Sequence, residues 1–389
     1  MIGLFQYKNS VKEREKIKSG GLICYGNKHI DTNGLLKKGN AFAHLLNDAG
    51  CTENDHFCVV MKKSINFLIT LIGINQMGGI VMPVDSDCSK EQMQDILSEN
   101  SFRWILVDET GLDFIDTCTN PHQELNIGWM GEKENLPSQL RPEFIWDNIE
   151  HYSTDSSSPL INPNRFTAMF YLDNENREQN VYLLSNHEVS EFVNSILEAI
   201  SVDEKSRIAG FFPSQCMPFM IEIGMSALNN AHLQLFNPAL IKNQEVFFKV
   251  VDEYKATHIC CRSEELKYLG NDRIELLRKL PEVKELIIWG PPLPMSKIYL
   301  LKELFPNSSI RNFYIITGKG KAKHQKLGVS TFMNLGYTEE SLYVFQRSHF
   351  CSESDSFDSM PKTQEVHHAY WRKRSNNSDD PNLQIVSNL

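Results

Sequence analysis

Asp173, Glu175 and Glu178 stand with Arg177 in the run Leu172-Asp173-Asn174-Glu175-Asn176-Arg177-Glu178-Gln179-Asn180-Val181. Carboxylates this close on one turn can offer oxygen ligands to a hard cation such as magnesium. The run reads chemically as a ligand loop and, more plainly, as a solvated polar turn between a strand and a helix. Gly318-Lys319-Gly320-Lys321 mixes glycine and lysine as phosphate loops do, but it lacks the G-x-x-x-x-G-K-[ST] spacing. Cys216, in Ser214-Gln215-Cys216, would act as a nucleophile only beside a base, and a buried thiol is the simpler account. His367, His368 and Cys351 have no further ligands nearby at metal spacing. Residue types alone therefore assign no catalytic group and no metal site.

Alternating elements must carry these residues. Leu35, Leu36, Phe42, Leu45 and Leu46 share a face of a helix over Asn33 to Asp48, stopped by Gly50. Phe57 to Met61 reads as an apolar strand. Ser64 precedes an apolar helix from Ile65 to Met77, and Gly78-Gly79 leads into a strand over Ile80 to Val84. A helix over Glu91 to Glu99 and a strand over Arg103 to Val107 complete a parallel pattern. Thr110 to Asn164 is polar, contains several prolines and reads as a connector. Strands then recur at Phe166 to Tyr171, Ile208 to Phe212, His258 to Cys261, Glu285 to Trp289 and Ile310 to Ile316. Helices recur at His187 to Ile200, Glu245 to Tyr254, Ile274 to Leu280 and Lys297 to Leu304. Ser185 or Asn186 is the expected N-cap of the first of these, with Glu188 in its first turn. The expected fold class is α/β, with tandem, mostly parallel sheets covered by helices.

The chain has 389 residues, 41% of them hydrophobic and 10% aromatic, enough to build a sizeable core. That composition excludes a disordered or collagen-like chain. Its formal net charge of -10 gives no bulk attraction to nucleic acid or to an anionic membrane, so neither is expected as a partner. The nine cysteines form no C-x-x-C pair, which suits reduced thiols in the cytoplasm. The apolar start of the chain is too short for a signal peptide. Phe67 to Ile74, the most apolar run, is too short to span a bilayer.

Several spacings resemble the AMP-binding superfamily of acyl-CoA synthetases, luciferases and nonribosomal peptide synthetase adenylation domains. Asn40-Ala41-Phe42-Ala43-His44-Leu45-Leu46, then Gly50 and Asp55, is similar to that family's opening motif. Ser64, followed by Gly78-Gly79-Ile80-Val81-Met82-Pro83-Val84-Asp85, resembles its "GGxxxPxD" segment, and Pro281 to Pro294 its "L-G-G-E-x-L" turn. Asn312-Phe313-Tyr314-Ile315-Ile316-Thr317-Gly318 falls on its "NxYGPTE". The resemblance implies an adenylation-like core over residues 1–346, with a first α/β lobe at 1–160, a second at 161–320 and a remnant of the following β region at 321–346. It leaves 347–389 as a polar, mobile tail. Tyr314 and Thr317 stand where the family contacts nucleotide.

The departures bear on chemistry. The family holds ATP with a loop close to "YTSGTTGxPKG", whose glycines let the backbone approach phosphate. In the corresponding stretch, Asp173, Asn174, Glu175, Asn176, Arg177 and Asn180 form a degenerate version with no glycine, and Asn180 stands at the lysine position. Two like charges about 5 Å apart cost on the order of 3 kcal/mol at an effective dielectric of 20. That is about two decades of affinity for one acid aimed at a triphosphate. Gly318 replaces the family's magnesium-holding glutamate, and no match appears for the small C-terminal domain with its catalytic lysine. The resemblance thus implies a degenerate, truncated adenylation-like protein acting by binding or regulation. Its implied partners are an active synthetase, a carrier protein or a C-terminal domain supplied in trans. One alternative is an adenylate-forming enzyme using ATP and Mg2+, with Thr317 at the α-phosphate and Asp173 or Glu175 at the metal. Another is a binder of acyl or amino acids without nucleotide.

Overall fold

The computed structural model describes residues 21–84, 90–99, 101–118, 125–155, 165–173, 179–270, 279–291, 293–317, 330–337, 342–348 and 367–370. The chain opens with β1 (Leu22–Tyr25) and β2 (Lys28–Asp31), then α1 (Thr32–Asp48), β3 (His56–Val60), α2 (Ile65–Met77), β4 (Ile80–Val84), α3 (Lys90–Glu99) and β5 (Trp104–Val107). It continues through α4 (Leu112–Cys118), β6 (Asn126–Trp129), β7 (Phe144–Ile145), β8 (Phe166–Asp173), β9 (Gln179–Ser185) and α5 (Asn186–Leu197). Next come β10 (Arg207–Gly210), α6 (Phe219–Asn229), β11 (His232–Leu235), α7 (Gln244–Tyr254), β12 (His258–Arg262), β13 (Glu285–Trp289) and α8 (Met295–Leu304). The last strands are β14 (Ser309–Thr317), β15 (Ser330–Tyr337), β16 (Leu342–Ser348) and β17 (His367–Tyr370).

The strands form two sheets. A 7-stranded sheet has the order β7-β6-β5-β3-β4-β8-β9, parallel except for β9. A 10-stranded sheet has the order β17-β16-β15-β14-β13-β12-β10-β11-β1-β2. Its centre, from β14 to β1, is parallel, and β2, β15, β16 and β17 are antiparallel additions. This is the expected α/β class with tandem sheets. The central strands read as nearly continuous apolar runs because helices cover both of their faces.

Local chemistry sets the elements. Ser64 accepts a hydrogen bond from the Phe67 N–H at 3.1 Å and so caps α2. Asp31 does the same for α1 through Gly34, at 2.6 Å. One core runs between the sheets, with Phe42, Phe57, Phe67, Trp104, Phe192, Phe219 and Phe313 in a single apolar cluster. A second cluster lies between the 10-stranded sheet and α7 and α8, and a third packs under α3. No described helix is long and apolar enough to cross a membrane.

Several expectations change. The stretch from Thr110 to Asn164, read as a connector, contains α4, β6 and β7, and the two strands extend the 7-stranded sheet. At the described ends of the loop expected over Leu172 to Val181 the chain is paired strand, with Leu172 opposite Asn180 and Asp173 opposite Gln179. The sequence reading had no counterpart for β1, β2, α6 or β11. Within the expected tail, β17 pairs with β16. The helix expected over 274–280 falls mostly outside the described residues, as do Asn174, Glu175, Asn176, Arg177 and Gly318 to Lys321.

Candidate functional site

Ligands of open α/β sheets lie beyond the carboxyl ends of the parallel strands. In the 10-stranded sheet those ends are Gly210 on β10, Arg262 on β12, Trp289 on β13 and the second half of β14. Tyr314 and Thr317 lie on that half, opposite Met333 and Ser330 of β15. Asp173 and Asn180 lie on the two strands of the β8–β9 hairpin, which closes one edge of the other sheet. The helix that follows the hairpin is capped as expected. Ser185 Oγ accepts from the Glu188 N–H at 3.2 Å, and the Glu188 carboxylate accepts from the Ser185 N–H at 2.7 Å. His187 is exposed beside this cap.

The strand ends are stitched together by buried polar groups. Asn312 is fully buried on β14. Its amide nitrogen donates to the Gly290 carbonyl at 2.9 Å, and its amide oxygen accepts from the Leu293 N–H at 3.1 Å. The turn after β13 is thus tied to β14. Gly290 has φ 120°, and a Cβ there would lie 2.4 Å from Ser263 Oγ. Only glycine satisfies both conditions. The Ser263 N–H in turn donates to the Trp289 carbonyl at 2.7 Å.

Aromatic rings pack behind these turns. Trp289 meets Phe192 of α5 edge-on, with centroids 5.8 Å apart, and packs against the cluster that holds Phe212, Cys260, Ile287 and Phe313. Arg262 supplies the positive charge at the strand ends. It contacts Glu264 at 2.6 Å and Glu265 at 3.3 Å. Burial works against the Arg262 charge, but Cys216, Glu265 and Glu264 outweigh it and hold the guanidinium above its ordinary pKa. Burial pushes the Glu265 carboxyl up, against the pull of Arg262.

Lys63 and Glu222 join the two sheets under this site. Lys63 follows β3 of the 7-stranded sheet, and Glu222 lies in α6 beside the 10-stranded one. Lys63 Nζ donates to Glu222 Oε2 at 2.9 Å, to the Phe212 carbonyl at 2.9 Å and to the Gly210 carbonyl at 3.0 Å. These three bonds use every donor of the ammonium. Burial pushes the Glu222 carboxyl up, while the Lys63 charge and the Phe212 N–H draw it down. Sequence reasoning missed this pair. The available signal was a single carboxylate inside the apolar run Phe219-Met220-Ile221-Glu222-Ile223, which requires a buried partner.

Among the described residues, no group of three or more His, Cys, Asp or Glu side chains is set to hold a metal ion. Two open depressions lie on helical surfaces away from the strand ends. One, of about 480 Å³, is lined by His44, Asp48, His151 and Tyr152. The other, of about 440 Å³, is lined by Glu191, Glu198, Leu228 and Asn229.

A family model described as "AMP-binding enzyme" matches residues 17–163. Tyrocidine synthase 1 of Brevibacillus parabrevis is 21% identical over 257 residues, covering 66% of this chain and 22% of that protein. Surfactin synthase subunit 2 of Bacillus subtilis is 24% identical over 130 residues, covering 33% of this chain and 3% of that protein. The N-terminal domain of FACL13 from Mycobacterium tuberculosis superposes with a TM-score of 0.66 at 14% identity, covering 81% of this chain and 76% of that one.

The chain is thus similar to AMP-binding enzymes over residues 17–163. The fold is that seen in the N-terminal domain of FACL13 and in the N-terminal subdomain of Klebsiella oxytoca NpsA. VinN, solved with L-aspartate, is a further neighbour at TM-score 0.63 and 14% identity, covering 83% of this chain and 76% of that one. The chain spans less than a quarter of the length of the two synthases it matches.

Proposed function

We propose that this protein is a catalytically degenerate adenylation-like protein that acts by binding or regulation. The observation that carries this reading is the hairpin between β8 and β9. A phosphate cradle needs backbone that can approach oxygen closely, which glycine supplies, and donors that point inward. From Leu172 to Val181 the chain has no glycine, three acids and one base. Asp173 and Gln179, which flank the centre of this run, pair across the hairpin. Trp289, at the end of β13, packs edge-on against the buried Phe192 of α5 and supplies apolar surface at the strand ends.

The matched relatives are much longer synthases. The partner class of this reading is therefore an active synthetase, a carrier protein or a C-terminal domain supplied by another chain, in the cytoplasm. A second reading, an adenylate-forming enzyme with a diverged loop, draws on Tyr314 and Thr317 on β14.

Calorimetry with ATP and magnesium separates the two. The degenerate protein gives no binding heat and no thermal shift with nucleotide, whereas saturable binding that raises the melting temperature contradicts it. Stabilisation by a carboxylic acid without ATP identifies a ligand site that works without nucleotide.

A further inference from the structure

We infer that Lys63 is a positioning residue for the strand-end region: it clamps the segment from Phe211 to Pro218, which leaves the carboxyl end of β10. The clamp bears on the strand ends that the proposed function uses. Phe212 is held by both of its backbone groups. Its N–H donates to Glu222 Oε1 at 2.7 Å, and its carbonyl accepts from Lys63 at 2.9 Å. The Gly210 carbonyl, at the last residue of β10, takes the third donor of Lys63.

Beyond Phe212 the backbone bonds of the segment are turn contacts. The Cys216 N–H donates to the Pro213 carbonyl at 3.2 Å, and the Phe219 N–H to the Cys216 carbonyl at 3.0 Å. The tertiary anchor at Phe212 is therefore supplied by a cation from the other sheet and an anion from α6. A Cβ on Gly210 would sit 2.6 Å from Glu222 Oε2, so the strand end admits the carboxylate only because residue 210 is glycine. Lys63 also lies over the Phe219 ring, 4.8 Å from its centroid, and Phe219 packs on Phe67 of α2.

A buried ion pair contributes little net stability compared with apolar groups of the same volume, while its directional bonds fix position. Here the fixed object is the segment that carries Cys216, whose thiol is close enough to Arg262 to interact with its charge. Cys216 is half-buried, whereas Cys260 and Cys261 are fully buried on the adjacent β12.

Residue-resolved thiol labelling tests the clamp without any ligand, so its failure is separate from that of the nucleotide calorimetry. In Lys63→Met the labelling rate of Cys216 should rise by about tenfold or more, with Cys260 and Cys261 within about twofold of wild type. Glu222→Gln, which keeps the shape and removes the charge, should raise the Cys216 rate in the same selective way. It carries the test if Lys63→Met does not fold. A parallel rise at all three cysteines shows a purely structural pair and overturns the proposal. So does an unchanged Cys216 rate in either variant.

Discussion

Glu222 has no exposed surface, and Lys63 reaches it from the other sheet at 2.9 Å. Removing one partner of such a pair strands a buried charge. Lys63→Met is expected to lower stability by on the order of 3–5 kcal/mol. The double variant Lys63→Met/Glu222→Leu should regain much of that loss. It should not regain all of it, because the Phe212 carbonyl loses the Lys63 donor at about 1 kcal/mol, whereas the Gly210 carbonyl keeps the Phe236 N–H. Urea unfolding of the four proteins in the cycle checks this. A double variant as unstable as Lys63→Met would contradict it.

The turn after β13 makes a second prediction. Gly290→Ala combines an unfavourable φ with a Cβ 2.4 Å from Ser263 Oγ. The backbone part alone is worth about 1–3 kcal/mol. Adding Ser263→Ala should relieve the collision and leave the backbone cost in place. Full recovery in the double variant would show that the φ carries no strain.

The capping box at Ser185 sorts two roles for Ser185-Asn186-His187. Ser185→Ala should cost about 1 kcal/mol, and Ser185→Asp much less. His187 is exposed, so His187→Ala should leave stability within about 0.5 kcal/mol of wild type. A large loss at His187, or none at Ser185, would reverse this assignment. Thermal denaturation measures both.

His258 predicts a pH dependence. It is buried, with Nε2 2.9 Å from the Ser201 carbonyl and Nδ1 2.8 Å from Thr257 Oγ1. Burial holds its pKa below the ordinary 6.5; the Ser201 carbonyl and Asp203 oppose that, and Lys284 reinforces it. The folded state therefore binds fewer protons at this site than the unfolded chain just below pH 6.5. The contribution of neutral His258 is complete above that pH and is lost as pH falls through the folded value. Buried Glu222, Glu265 and Glu285 have raised pKa values and act in the opposite sense, so the comparison must be with a variant. Wild type should lose more stability than His258→Gln on acidification below pH 6.5. Equal slopes for the two proteins would contradict the prediction.

Strong local signals made part of this architecture readable. Ser64 and Gly78 bracket an apolar run, and α2 occupies the same residues, Ile65–Met77. β13 likewise coincides with the apolar stretch Glu285–Trp289. The elements that escaped lack such signals. β6 and β7 are only 4 and 2 residues long, too short for any period to show inside polar sequence. α6 is buried on nearly every side, so it has no polar stripe, and Pro213 and Pro218 ahead of it resemble loop chemistry. The first residues of β9, Gln179 and Asn180, are polar and read as a continuation of the loop.

The site divides in the same way. Asn312, Tyr314 and Thr317 stand in one short motif, so their common place on β14 is legible in the sequence. Lys63 and Glu222 are 159 residues apart, and nothing local links them. Only the pairing of two sheets through one core brings the ammonium to the carboxylate.

The most direct test of the central claim is ATP–pyrophosphate exchange with the full chain across a panel of amino acids and fatty acids. The glycine-free, acidic hairpin predicts no exchange above background with any acid. Robust exchange that disappears in Thr317→Ala would show a working nucleotide site on β14 and contradict the account of a degenerate adenylation-like protein.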